Sequence, residues 1–248
     1  MDWYPTPSYL MKRRVILEYL KDVDEKNILE VGCGCGDLLH VLERRGFTGI
    51  GIDISKEALV LAVAGLGSSS GFRLACSTPD QLVEKFDVVI ASEVLEHHHD
   101  DIQFLRQLHE RLQDRGMLLL TVPAHQKQWG ANDDFCGHIR RYERQELIEK
   151  LQTAGFEEIK IFSYGVPVYN LMKPLYDWMI GSKNAQPEQV EKTANSGGMW
   201  LVQWGGRIFR CLFNDITLYP FYILQKLFYH TDLGMGYFAA ARKKEQKL

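Results

Sequence analysis

Apolar runs alternate with amphipathic segments along the first two thirds of the chain. The runs are five to eight residues long, rich in Val, Ile, Leu and Phe, and bounded by glycine, proline or polar residues, which is typical of buried strands. Between them, apolar residues recur at intervals of three and four, which predicts helices. Because strands that alternate with helices form parallel sheets with right-handed crossovers, the pattern predicts an α/β fold. The predicted strands are 27–31, 47–54, 72–76, 86–91, 117–122 and 156–162, and the clearest helices are 12–22 and 143–154.

The pattern changes after residue 163. Helices are predicted at 166–180, 199–213 and 217–229, and the last of these is apolar nearly all round. Residues 236–242 then have the pattern of one more strand, and a charged tail follows. The predicted organisation is a core domain at 1–163, a helical insertion at 164–233, and a last core strand with the tail at 234–248.

Composition narrows the classes of function. The 248-residue chain has a net charge of −3, which argues against a nucleic-acid partner. Its longest stretch without Asp, Glu, Lys or Arg is 15 residues, which is too short for a membrane-spanning helix. No secretory signal is evident, and the five cysteines show no disulfide spacing, so a cytoplasmic location is predicted.

Aromatic residues are concentrated in the predicted insertion, which holds 13 of the 28. Three interpretations remain open. The insertion is a cap packed on the core, a lid that forms an apolar acceptor pocket, or a surface through which residues 166–230 contact a membrane or a partner. This composition also raises the hypothesis of a bulky apolar or lipid-linked substrate.

The strongest local signal is a glycine-rich turn between the first strand and the next helix. Gly32, Gly34 and Gly36 are followed by Asp37. Glycine lets the backbone turn sharply and lets a ligand approach the main chain. The spacing departs from the G-x-G-x-x-G of nicotinamide-binding folds, and no G-K-[ST] follows. Asp53 ends the second strand, where its carboxylate either binds both hydroxyls of a ribose or caps the next helix.

Four segments together resemble the class I S-adenosylmethionine-dependent methyltransferases of types 11 and 23. They stand in that family's order and spacing between about residues 27 and 162. The resemblance implies S-adenosylmethionine as cofactor and a Rossmann-like sheet of seven mostly parallel strands, the last antiparallel, with helices on both faces. It also implies that the insertion lies between strands six and seven. The segments are ILEVGCGCGD at 28–37, GIDIS at 51–55, FDVVIASEVLEHH at 86–98 and MLLLTVP at 117–123.

The resemblance also implies a cofactor site. Asp53 would bind the ribose, Ile54 would pack on the adenine, and the residues after the fourth strand would line the methionine moiety. The family often has an acidic residue near the adenine amine, but none occupies 75–79 here. Arg13 and Arg14 either pair with the cofactor carboxylate or form a solvated helix face. The implied cofactor-binding residues are Glu30, Gly32, Cys33, Gly34, Asp53, Ile54, Cys76, Ser77, Ser92 and Glu93.

Acceptor chemistry is predicted in the long segment after the fifth strand, residues 124–142. Methyl transfer from a sulfonium is a direct displacement, so the protein mainly orients the acceptor, and an oxygen acceptor also needs a base. In one interpretation His138 is that base, held by Asp133 or Asp134, while an arginine binds an acidic group of the substrate. In the other, the cluster is a buried clamp between loop and helix. The candidate catalytic residues are His138, Asp134, Arg141 and Tyr142.

Other histidines carry less weight. His97 stands where the family often has a histidine that supports the loop. Residues 98–101 are two histidines and two aspartates, but adjacent side chains seldom converge on one ion, so no metal site is predicted.

These observations predict a methyltransferase that acts on an oxygen of a small-molecule, glycan or lipid-linked acceptor. Two alternatives remain. One is a catalytically silent protein of the same fold that acts as a partner or regulator. The other is an NAD-dependent oxidoreductase, which is disfavoured by Asp37 at the place of the third fingerprint glycine. The oligomeric state is not predicted.

Overall fold

The computed structural model describes residues 5–24, 26–67, 70–181 and 213–244. Its strands are β1 Asn27–Val31, β2 Thr48–Asp53, β3 Phe72–Cys76, β4 Phe86–Ser92, β5 Leu112–Pro123, β6 Phe156–Tyr164 and β7 Gly236–Lys243. They form one sheet in the order β3-β2-β1-β4-β5-β7-β6. All neighbouring pairs are parallel except those of β7, which is antiparallel to both β5 and β6. The predicted seven-stranded Rossmann-like fold is confirmed.

The helices begin where the sequence supplies caps. The Thr6 hydroxyl accepts a hydrogen bond from the Tyr9 amide, and Pro7 takes the first helical position, so the first helix starts at residue 7 rather than at the predicted residue 12. Ser55 caps the third helix in the same way. The helices are α1 Pro7–Tyr19, α2 Asp37–Glu43, α3 Lys56–Leu66, α4 Asp101–Glu110, α5 Ala131–Cys136, α6 Arg144–Thr153, α7 Val168–Gly181 and α8 Tyr219–Lys226.

Both faces of the sheet are buried. Neighbouring residues of one strand point to opposite faces, so Leu29 and Leu118 join one apolar cluster while Ile28 and Leu119 join the other. This accounts for strands that are apolar without alternation. The carboxyl ends of the parallel strands are thereby held at one edge of a rigid sheet, where loops can carry function.

Besides α1, three predicted elements differ clearly from the structure. Strand β5 begins at Leu112 rather than 117, because Leu112 pairs with Phe86 of β4. The segment 124–142 holds the short helix α5, and α8 is shorter than the predicted 217–229. The helix predicted at 199–213 lies, except for its last residue, outside the described residues.

The described parts of the predicted insertion pack on α1. A small apolar cluster joins Leu10 and Met11 of α1 to Val168 of α7 and to Leu218 and Tyr222 at α8. This contact agrees with a cap, and the division into core and insertion stays a prediction. Among the residues described, no helix is both long enough and apolar enough to cross a lipid bilayer.

Candidate active site

A cleft of about 570 Å³ opens at the carboxyl ends of β1, β2 and β4. Nine of the ten predicted cofactor-binding residues line it. Cys76 is the exception, and its Sγ lies 3.7 Å from the carbonyl oxygen of Ile54. The roles of all ten stay predictions. The nine lining residues are Glu30, Gly32, Cys33, Gly34, Asp53, Ile54, Ser77, Ser92 and Glu93.

The glycine loop requires its glycines for backbone conformation. Gly32, Gly34 and Gly36 have φ values of 71°, 53° and 77°, in the left-handed region that side chains disfavour. At Gly32 space is also limiting, since a Cβ there would lie 2.5 Å from Cγ2 of Val94. The loop can therefore bring its main chain against a ligand, and α2 begins directly after it.

Asp53 holds this loop in place. Its Oδ2 accepts a hydrogen bond from the Gly34 amide at 2.8 Å, and its Oδ1 accepts one from the Ser55 amide at 2.8 Å. Each carboxylate oxygen can accept more than one hydrogen bond, so acceptor capacity remains for a diol. The cap of α3 is Ser55 and not Asp53.

Glu30 is a buried carboxyl group at the end of β1. It is 4 % exposed, and its Oε2 has no hydrogen-bond partner among the residues described. Burial, together with the charges of Asp37 and Asp53, raises the pKa of Glu30 well above its usual range. A buried polar atom without a partner is costly, so a ligand cation or donor would fit here.

Helix α1 contributes four lining residues, Tyr9, Lys12, Arg13 and Ile16, of which the sequence indicated Arg13 alone as a cofactor contact. Arg13 donates to Asp37 at 2.6 Å and to Asp215 at 2.6 Å. Arg14 instead pairs with Glu18, one turn further along the helix. The four-residue spacing of Tyr9 and Arg13 is a helical signal, and it was lost because α1 was predicted to begin at residue 12.

A further part of the cleft wall is formed by the residues after β4. Glu93 has a φ of 56°, an uncommon conformation for a residue with a side chain, and such strain is often found at functional sites. Its Oε1 accepts a hydrogen bond from the Tyr164 hydroxyl at 2.9 Å. His97 also lines the cleft, and its Nδ1 lies 3.2 Å from the carbonyl oxygen of Gly137.

The 124–142 segment is organised around Asp133, which is fully buried. Asp133 accepts hydrogen bonds from Nδ1 of His138 at 2.9 Å and from Nε of Arg141 at 2.8 Å. Burial opposes ionisation of Asp133, but these two partners lower its pKa. Asp133 therefore holds His138, whereas Asp134 accepts from the indole of Trp129.

The four candidate catalytic residues do not line the cleft. Arg141 also donates to the carbonyl of Ala124 at 2.8 Å, and the Tyr142 hydroxyl donates to Asp101 at 3.1 Å. These buried contacts favour the clamp interpretation for both. The ring of His138 lies behind that of His97, with 5.1 Å between the ring centroids.

The chain is also similar to known proteins in sequence and in structure. Residues 8–161 match the model of a family described as a methyltransferase domain. The chain belongs to this methyltransferase family. The match covers the glycine loop, the strand ends and the 124–142 segment of the methyltransferase.

Individual proteins resemble this chain in sequence, and several solved structures resemble it in fold. The methyltransferase is 27% identical over 137 residues to a ubiquinone biosynthesis O-methyltransferase of Bartonella tribocorum, an alignment that covers 51% of this chain and 56% of that protein. It thus spans little more than half the length of that relative. It superposes with a TM-score of 0.61 and 15% identity on a methyltransferase bound to the Trm112 activator of Haloferax volcanii, covering 98% and 92% of the two chains. It superposes equally well, at 15% identity, on Haemonchus contortus phosphoethanolamine N-methyltransferase 2 in complex with S-adenosyl-L-methionine, covering 94% and 52%.

The cleft fits the cofactor of this family, S-adenosylmethionine. The unpartnered oxygen of Glu30 suits an ammonium group, and the open space beside Gly34 suits close approach of a ligand to the main chain. When bound, the cofactor supplies an activated methyl group. Family membership and the fit of the cleft favour the predicted methyltransferase over the oxidoreductase alternative.

Proposed function

We propose that this methyltransferase transfers the methyl group of S-adenosylmethionine to an oxygen of a small-molecule or lipid-linked acceptor. The observation that carries the proposal is Glu93, a carboxylate held in a strained conformation where the cleft meets the end of β4. A carboxylate is an acceptor for the proton that a hydroxyl loses on methylation. The name of the curated O-methyltransferase relative supports the same acceptor atom.

The cofactor is oriented by groups that are already in place. Glu30 pairs with its ammonium group and Asp53 accepts hydrogen bonds from its ribose hydroxyls. Ile54 has an exposed side chain at the cleft and packs on the adenine. This orientation directs the methionine end of the cofactor, and with it the methyl group, towards Ser92 and Glu93.

The protein then orients the acceptor and removes the proton from its hydroxyl group. The Tyr164 hydroxyl occupies one oxygen of Glu93 and leaves the other for the acceptor hydroxyl. His138 does not reach the cleft, so it positions His97 rather than serving as the base. Arg141, Tyr142 and Asp134 hold the 124–142 segment in shape.

A lipid-linked acceptor is supported by exposed apolar side chains on the two helices of the insertion. Leu171, Leu175 and Trp178 follow helical spacing on α7, and Trp178 is 69% exposed. Tyr219, Ile223 and Leu227 form a second stripe at α8. Single exposed apolar residues are ordinary, but two stripes on neighbouring segments favour contact with a membrane surface.

The acceptor atom is tested with S-adenosylmethionine carrying a carbon-13 methyl group. The enzyme is offered catechol, amine and carbon acceptors, and the product's methyl resonance distinguishes O-, N- and C-methylation. We expect methoxy products, with turnover lowered about 100-fold in Glu93→Gln and unchanged in the exposed control Glu84→Gln. Products methylated only on nitrogen or carbon contradict the proposal.

The lipid-linked part is tested separately with a prenylated phenol in vesicles and a short-chain phenol in solution. The double variant Trp178→Ser and Leu227→Ser is expected to lose turnover on the prenylated acceptor alone. The control double variant Val63→Ser and Val83→Ser changes equally exposed apolar residues elsewhere. Equal loss on both acceptors, or equal loss in the control, rejects a membrane role for α7 and α8.

A further inference from the structure

Three potential metal ligands meet behind the wall of the cleft. Glu96, His97 and His138 each offer one ligand atom, and these atoms all lie within 4.8 Å of one another. Glu96 and His97 follow β4, whereas His138 follows α5, so the fold brings together residues about 40 positions apart. No role in cofactor binding or proton transfer has been assigned to Glu96.

Both imidazoles are oriented by a second set of partners. Nδ1 of His97 faces the carbonyl oxygen of Gly137 and Nδ1 of His138 faces the carboxylate of Asp133. A carbonyl oxygen and an ionised carboxylate only accept hydrogen bonds, so each Nδ1 carries its hydrogen and each Nε2 has a free lone pair. Metal-binding histidines have this arrangement, in which the outer hydrogen bond fixes the tautomer and the ring.

The inward-facing atoms have no hydrogen-bond partners in the described part of the chain. Glu96 is 0% exposed, yet both carboxylate oxygens lack a hydrogen bond, as does Nε2 of His97. Leaving a buried polar atom without a hydrogen-bond partner is destabilising, so three such atoms at one point indicate a missing ligand.

We propose that Glu96, His97 and His138 bind one divalent transition-metal ion, for which zinc is the best fit. Nε2 of His138 lies 3.6 Å from Oε1 of Glu96. In a tetrahedral zinc site with bonds of about 2.0–2.1 Å, neighbouring ligand atoms are about 3.3 Å apart, so a small side-chain movement closes the site. Two imidazoles disfavour magnesium and calcium, which prefer oxygen ligands.

The site lies directly beside the cleft, because His97 belongs to both. Zinc sites with two histidines and one glutamate keep a fourth position for water or substrate. An acceptor hydroxyl in that position would bind the ion and lose its proton more readily. The metal site rests on the ligand geometry and not on the choice of acceptor.

Metal binding is tested directly on the full chain. Protein stripped with a chelator is titrated with Zn²⁺ and with Co²⁺, whose visible absorption reports coordination geometry. We expect one equivalent to bind, with a tetrahedral cobalt spectrum and without the near-ultraviolet bands of thiolate ligation. Glu96→Gln and His138→Ala should each weaken binding at least 100-fold, and Asp133→Asn should weaken it 10- to 100-fold through His138.

His99→Ala is the matched control, because it removes an exposed imidazole from the same loop and should leave binding unchanged. S-adenosylhomocysteine binding, measured on each variant, shows that the fold is intact. The proposal is overturned if the wild-type protein binds no stoichiometric Zn²⁺ or Co²⁺. Unchanged affinity in Glu96→Gln, or a thiolate spectrum, also overturns it. Stoichiometric binding without methoxy products would contradict the proposed function alone.

Discussion

The two ends of the cleft are built in different ways. At the cofactor end, backbone amides, glycines and Asp53 lie in one β1–β2 unit, and the hydrogen bond from Gly34 to Asp53 spans 19 positions. At the acceptor end, residues from three distant segments meet through buried charges, and the bond from Tyr164 to Glu93 spans 71 positions. The first end is specified by local backbone geometry and the second by ionic partners. We therefore expect the largest loss of stability at the buried ion pairs of the acceptor end, and the largest loss of ligand affinity at Asp53 of the cofactor end.

The largest effect is expected at Asp133. Asp133→Ala leaves Arg141 buried without its carboxylate, and breaking such a pair costs about 3–5 kcal/mol of the free energy of unfolding. Asp134 is exposed, and within the described residues its carboxylate accepts a hydrogen bond from Trp129 alone, so Asp134→Ala should cost less than about 1 kcal/mol. Urea unfolding of the two variants, in chelator, measures the difference. Equal costs would show that the acceptor end does not depend on its buried ion pair.

At the cofactor end the corresponding carboxylate is Asp53. Asp53→Ala removes the acceptors for the ribose and for the Gly34 amide, and charge-assisted hydrogen bonds contribute about 1.5–3 kcal/mol each. Calorimetry should show affinity for S-adenosylhomocysteine falling about 100-fold or more, with a smaller loss in Asp53→Asn. Asp80→Ala, at an exposed carboxylate after β3, is the control. Retained affinity in Asp53→Ala would remove the ribose assignment.

This difference also decides what the sequence alone reveals. The glycine loop and Asp53 could be predicted from the sequence, because their contacts follow from spacing within one β1–α2–β2 unit. The spacing around His138 could not decide between Asp133 and Asp134, since that choice depends on how α5 turns. The hydrogen bond from Tyr164 to Glu93 was invisible, because it depends on where β6 ends beside β7. The grouping of Glu96 with His138 was missed for the same reason.

Two glycines of the loop allow the cost of a steric clash to be distinguished from the cost of a positive φ. Gly32→Ala and Gly34→Ala both place a side chain at positive φ, which costs about 1–2 kcal/mol. Only the first also meets Val94, whereas nothing lies within 4 Å of a Cβ at Gly34. The free energy of unfolding should therefore fall by about 2 kcal/mol more in Gly32→Ala, measured without ligand. Similar values for both would mean that Val94 moves aside and that conformation alone requires glycine.

The smallest effect is expected at Glu30, the one carboxyl of the cofactor end that resembles the buried charges of the acceptor end. Its pKa is raised, so its contribution to stability is present in full below its unfolded pKa of about 4.3 and is lost as pH rises through the folded pKa. Glu30→Gln cannot ionise, so at neutral pH it should raise the free energy of unfolding by about 1 kcal/mol or more, and the gain should vanish near pH 4.

Glu30→Gln should weaken cofactor binding although it raises stability. A glutamine cannot form an ion pair with the ammonium group of the cofactor, so affinity for S-adenosylhomocysteine should fall about 10-fold at pH 7. For this variant, urea unfolding at several pH values measures the change in stability, and calorimetry measures the change in affinity. Opposite signs mean that Glu30 is kept for its ligand at a cost in stability. If Glu30→Gln lowers both the free energy of unfolding and the affinity, Glu30 is a structural residue. The cofactor end would then depend on a buried carboxyl group for stability, as the acceptor end does.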